Sequence, residues 1–156
     1  MTTLANSTTA TAADRRPIDV RGPRFGAAVT TVVLALTLLT IPTTLSVILL
    51  ALQTAAFALG SLVGLQAQPY GVFFRRVVRP RLAPPTEFED PAPPRFAQTV
   101  GLGFALVGLI GLLAGATTLA YVAVGFALAA AFLNAVFAYC LGCEVYLLGK
   151  RVLSRS

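Results

Sequence analysis

Thr44 to Leu65 reads TLSVILLALQTAAFALGSLVGL, 22 residues without one charge. As a helix it rises about 33 Å at about 1.5 Å per residue, enough to cross a hydrocarbon core of about 30 Å. Three more apolar stretches surround it: Phe25 to Ile41 (FGAAVTTVVLALTLLTI), Phe96 to Gly115 (FAQTVGLGFALVGLIGLLAG), and a longer one from about Thr118 to Leu148. Pro42 between the first two suits a tight turn and a fresh helix start. Composition agrees. The chain is 156 residues, 56% hydrophobic and 12% charged, where soluble domains average about 25% charged. Its mean hydropathy is +0.80. The reading is an all-α protein, a four-transmembrane-helix bundle over residues 21–150, with spans at about 25–41, 44–65, 96–115 and 118–148 and a loop at 66–95.

The basic residues orient this bundle. Arg15, Arg16, Arg21 and Arg24 precede the first span; Arg75, Arg76, Arg79, Arg81 and Arg95 lie in the middle loop; Lys150, Arg151 and Arg155 follow the last span. Those are all 12 Lys and Arg residues, and the two hairpin turns hold none. Four spans put all three basic segments on one side, and the positive-inside rule makes that side cytoplasmic. The expectation is a multi-pass protein of the inner (plasma) membrane with both termini cytoplasmic. Residues 1–20, a Thr/Ala-rich polar tract without the apolar region of a signal peptide, read as a disordered tail. Residues 151–156 read as a basic C-terminal tail. In a soluble protein the net charge of +6 would raise nucleic acid as a partner. Here the arginines flank apolar runs, and no aromatics alternate with base-reading side chains, so the bilayer and its headgroups account for them.

The two hairpins echo each other. Pro23-Arg24-Phe25 opens the first span and Pro94-Arg95-Phe96 the third; Leu59-Gly60-Ser61-Leu62-Val63 resembles Leu141-Gly142-Cys143-Glu144-Val145. Duplication would give two parallel-oriented hairpins, with Ser61 the counterpart of Cys143. Glycines 101, 103, 108, 111 and 115 dot the third span. They predict close helix approach, within the bundle or at a homodimer contact. Asn134 is expected to hydrogen-bond across the bundle.

Both cysteines of the chain lie in Tyr139-Cys140-Leu141-Gly142-Cys143-Glu144. The fourth stretch is too long for one crossing, so their depth depends on register. The short Ala116-Thr117 turn pins its start at the outer face, and about twenty residues onward the chain reaches Phe137. Cys140, Cys143 and Glu144 then lie at the cytoplasmic boundary, and EVYLLGKRV continues as an interfacial or projecting helix. A carboxylate at bilayer depth would cost about 2.5–3.5 kcal/mol, which favours the same register. A permanent disulfide is disfavoured in a reducing compartment. A zinc site needs four ligands, and the chain offers two thiols and no histidine, so no metal is expected short of a site shared across a dimer. Thiol chemistry and inert packing both stay open. One objection stands against the first. Reactive CxxC thiols lie at helix N-termini, whereas this pair is expected toward a helix C-terminal end beside Glu144. Both features raise a thiol pKa, so a counter-charge is required. Arg75, Arg76, Arg79 and Arg81 of the loop are the candidates.

That loop interleaves Phe73, Phe74, Val77 and Val78 with its arginines, a basic amphipathic segment suited to the headgroup layer. Prolines 80, 84 and 85 end it. Lipid headgroups or a docked partner are the two readings of its arginines.

The stretches IDVRGPRFGAAVTTVVLA, QPYGVFFRRVVRPRL, EDPAPPRFAQTVGL and FLNAVFAYCLGCEVYLL together resemble an actinobacterial family of four-span integral membrane proteins filed as domain of unknown function 4395. The resemblance covers about Ile18 to Leu148. It implies an integral membrane protein without an established activity, associated with thioredoxin-like proteins and sulfurtransferases. Two functions follow. In one, Cys140 and Cys143, with Glu144 beside them, perform thiol redox or sulfur transfer with such a cytosolic partner; no bound cofactor is expected, with quinone a candidate membrane-side acceptor. The other is a non-catalytic membrane anchor or small transporter subunit linked to sulfur metabolism.

Overall fold

The computed structural model describes residues 16–155. The expected tail at 1–20 falls mostly outside them. Six α-helices follow in order: α1 Arg21–Thr40, α2 Thr44–Ala58, α3 Pro69–Phe73, α4 Ala92–Leu113, α5 Thr117–Phe137 and α6 Leu141–Arg155. A π-helical turn, Leu59–Val63, lengthens α2. A second, Phe74–Val78, and a 3-10 turn, Arg79–Arg81, continue α3. Helices α1, α2 with its π turn, α4 and α5 are each long and apolar enough to cross a membrane, and the chain is a multi-pass membrane protein. A two-stranded antiparallel pair, β1 Ile18–Asp19 with β2 Phe88–Glu89, ties the entry to α1 onto the loop before α4.

The core lies where the four long helices meet, around Leu34, Leu50, Phe57, Ala105, Val124 and Ala127. The outward positions are as apolar as the core: Leu39, Leu52, Ile110, Leu113 and Phe126 are exposed. In water that would be a liability; against lipid it is the required surface. Helix association in lipid cannot rest on hydrophobic burial, so small residues and hydrogen bonds carry it. A Cβ on Gly108 would come 3.0 Å from Val124, and one on Gly111 3.1 Å from the Ala116 carbonyl. Those two glycines serve the α4–α5 contact, whereas Gly103 faces open space. Buried hydroxyls turn back on their own helix, as Thr37 does to the Val33 carbonyl (2.8 Å) and Thr54 to that of Leu50 (2.7 Å). Gln53, fully buried in α2, donates to Thr30 of α1 at 3.3 Å and accepts from the Tyr70 hydroxyl of α3 at 2.7 Å. The cross-bundle role expected of Asn134 falls to Gln53 instead. Asn134 is half-buried in the last turns of α5 and has no hydrogen bond to another helix among the described residues.

The two Pro-Arg-Phe motifs do equivalent work. Arg95 at the start of α4 donates to the carbonyls of Ser61 (2.9 Å) and Leu62 (3.3 Å), in the last turn of the second span. Arg24 at the start of α1 reaches the Ala135 carbonyl, near the end of α5, at 3.5 Å. Each hairpin thus supplies the arginine that closes the other hairpin's second helix, whose last carbonyls have no partner within the helix.

The fourth stretch is not one helix. α5 stops at Phe137, Ala138 adopts a left-handed conformation (φ 55°), and α6 begins at Leu141. The amides of Ala138 and Tyr139 both donate to the Leu133 carbonyl.

Candidate functional site: the Cys140–Cys143 turn

Cys140 sits in the break, one residue before α6. Its carbonyl accepts from the Glu144 amide at 3.0 Å, the first hydrogen bond of the new helix. Its Sγ accepts from the Cys143 amide at 3.2 Å. Cys140 therefore occupies the capping position, and its sulfur meets one of the amides a helix N-terminus leaves unpaired. Cys140 and Cys143 form a disulfide with Cα atoms 5.2 Å apart, inside the usual range of about 4.4–6.8 Å. Both are half-buried.

This reverses one of the two effects expected from the sequence, that of the helix end, while Glu144 stays beside the pair. Read as one long helix, the fourth stretch puts the pair near a C-terminal end, where the dipole opposes a thiolate. Because the chain breaks at Ala138, the pair stands at the N-terminus of α6 instead. There the dipole and the Cys143 amide favour negative charge on Cys140. Glu144 also lies in this first turn; it is exposed and forms no ion pair among the described residues.

The turn is held by α4. A Cβ on Gly142 would lie 2.6 Å from the Ala97 Cβ, so only glycine permits this approach. One turn on, the Tyr146 ring packs at 5.7 Å from Phe96. Away from this contact α6 is exposed, with Leu141, Val145, Leu148 and Val152 along one face and Arg151 and Arg155 beside them.

The loop arginines lie elsewhere. Their segment packs on α1, while α6 packs on α4. Phe74 is buried there against Phe25 (5.7 Å between ring centres), and Phe73 stacks on the same ring at 5.9 Å. Arg75 donates to the Gln66 carbonyl at 2.6 Å, and Arg79 approaches the Asp19 carboxylate at 3.9 Å. Arg75, Arg76 and Arg81 are exposed. The sequence reading passed over Arg24 as a site residue. Through Ala135 it is anchored three residues before the break at Ala138, and its repeated Pro-Arg-Phe setting was the available signal.

The chain matches the family described as Domain of unknown function (DUF4395) over residues 18–151 and belongs to it. No curated protein and no solved structure matches it.

Proposed function

We propose that this member of a family without an assigned activity carries out dithiol–disulfide exchange at Cys140 and Cys143, on the cytoplasmic face, with a soluble thioredoxin-like partner. The observation that carries the reading is the seat of Cys140 at the head of α6, its sulfur met by the Cys143 amide at 3.2 Å. Inert packing asks for nothing of the kind. The distribution of the basic residues supports the cytoplasmic side.

In the reduced site the Cys140 thiolate attacks one sulfur of the partner's disulfide. A mixed disulfide forms, and the partner's other sulfur leaves as a thiolate and takes a proton. Cys143, as thiolate, then attacks the Cys140 sulfur and releases the partner's second thiol. Two electrons and two protons pass to the partner, and the site is left as the Cys140–Cys143 disulfide. The reverse exchange, with a second dithiol protein, resets it. A bridged pair favours this two-electron exchange over sulfane sulfur transfer, which needs a single thiol. The exposed apolar row of α6 with its flanking arginines suits the headgroup layer, where a soluble protein reaches the turn from the aqueous side.

The test is labelling in oriented membrane vesicles. A membrane-impermeant maleimide is applied to each face before and after reduction, with mass spectrometry at both cysteines. Labelling from the cytoplasmic face alone, with a fraction that needs prior reduction, is expected. The Cys143→Ser variant should then hold a thioredoxin-like protein as a mixed disulfide. Thiols that stay unlabelled until the protein is denatured would sink the proposal and leave the membrane-anchor reading.

A further inference from the structure

Helix α6 differs in kind from the four spans. They are apolar nearly all round. α6 carries an apolar row on one side and its charges on others, the pattern of a helix that lies along a bilayer rather than through it. At about 100° per residue, Leu141, Val145, Leu148 and Val152 fall within about 60° of one another. Val145 is 58% exposed, Leu148 63% and Val152 62%. One flank of the row, at Gly142 and Tyr146, turns to α4. Arg151 and Arg155 take the other flank, and both are exposed. Opposite the row lie Cys143, Lys150 and Ser154, with Leu147 the one apolar residue among them.

Depth and charge say what covers the row. The helix begins just after Phe137 ends the fourth span. Its Gly142 meets Ala97, within the first two turns of the span α4. The head of α6 therefore stands at a span end, where acyl chains give way to headgroups. Val136 and Phe137, exposed at the end of α5, carry the lipid-facing surface up to Leu141. Along α6 three basic residues, Lys150, Arg151 and Arg155, stand against one acid, Glu144, in the first turn. No ion pair engages any of the four among the described residues. Arginine stems can lie along an apolar surface while their heads reach phosphate level, and positive charge beside such a row is complementary to anionic lipid.

We propose that α6 is a membrane-surface helix seated on anionic phospholipid. Leu141, Val145, Leu148 and Val152 enter the acyl boundary, and the guanidinium groups of Arg151 and Arg155 meet phosphates. Cys143, on the opposite side, then faces water. The seat adds a lipid class and an orientation to the thiol reading and does not depend on it.

The chain has no tryptophan, so a single introduced one reports its own surroundings. The test places Leu148→Trp, Val152→Trp and Ser154→Trp one at a time in the full chain, in nanodiscs of phosphatidylcholine with and without a minority of phosphatidylglycerol. Leu148→Trp and Val152→Trp should emit at shorter wavelength and be quenched by lipids brominated on their acyl chains, more strongly with phosphatidylglycerol. Ser154→Trp should emit as in water and be quenched by iodide. Adding Arg151→Gln and Arg155→Gln should abolish the gain from phosphatidylglycerol. Hydrogen exchange over residues 147–155 of the unaltered chain gives a reading free of substitutions, and it should slow when phosphatidylglycerol is present. Water-like emission at all three positions would mean a helix that projects from the membrane. Short-wavelength emission without quenching by brominated lipid would mean that a second copy covers the row. Either result overturns the seat, and quenching and exchange that ignore phosphatidylglycerol overturn the anionic assignment. None of these readouts involves the thiols, so the seat and the exchange chemistry fail separately.

Discussion

Arg95 Nε donates to the Ser61 carbonyl at 2.9 Å, so the first turn of one hairpin closes the last turn of the other. Thr99, one turn further along α4, shares a hydrogen bond of 2.6 Å with the Ser61 hydroxyl. Arg24 makes the corresponding reach to Ala135, at a longer 3.5 Å. Arg95→Ala should therefore destabilise more than Arg24→Ala. A charge-assisted hydrogen bond contributes about 1.5–3 kcal/mol, and the longer contact should fall below about 1 kcal/mol. Thermal unfolding of both variants in one detergent checks the order; equal losses would mean the two motifs are not graded by distance.

Ala138 holds a left-handed conformation, φ 55°, which costs a residue with a Cβ about 1–2 kcal/mol. Ala138→Gly should raise stability by up to about 1 kcal/mol. Ala138→Val should lower it. A destabilising Ala138→Gly would show that the chain does not turn there.

Gly142 has no room for a side chain against Ala97. Gly142→Val should lift α6 from α4 while leaving the four spans folded. Hydrogen exchange across 141–155 should rise by an order of magnitude or more, roughly the effect of 1.4 kcal/mol. Exchange in α4 and α5 should not change. A uniform rise would indicate global unfolding and refute a locally docked helix.

An ordinary thiol ionises near about 8.5. With Cys143 replaced by serine, Cys140 should alkylate with a midpoint clearly below that, because the α6 N-terminus favours its thiolate. Cys143, in the converse variant, should react closer to the ordinary value. Identical profiles would count against the helix-terminus effect.

Hydrogen bonding from Arg21, working against burial, holds the Asp19 carboxyl below its ordinary 3.8. The folded value lies under the unfolded one, so the carboxylate stabilises the protein above that range. The gain disappears as pH falls through the folded value. Asp19→Asn should lower the unfolding midpoint near neutral pH and have a shrinking effect as pH drops into the acid range. An effect independent of pH would mean the side chain acts through shape alone.

The sequence by itself determined the membrane fold. Four long apolar runs such as Thr44 to Leu65 can be satisfied in lipid only as helices, because each helix pairs its own backbone groups. That rule is local, so it is legible without an alignment. The repeated Pro-Arg-Phe was legible too, though not what each arginine grips. What the tertiary structure decided is the site. No glycine or proline marks the break between α5 and α6; the residue that turns there is Ala138. The nearest clue, Gly142, owes its place to Ala97, a residue forty-five positions earlier. Whether Cys140 ends one helix or heads another depends on the left-handed turn at Ala138, and the approach of Gly142 to Ala97 holds the new helix against a distant segment. That turn sets the sign of the field at the Cys140 sulfur, which no spacing of residues within 139–144 could reveal.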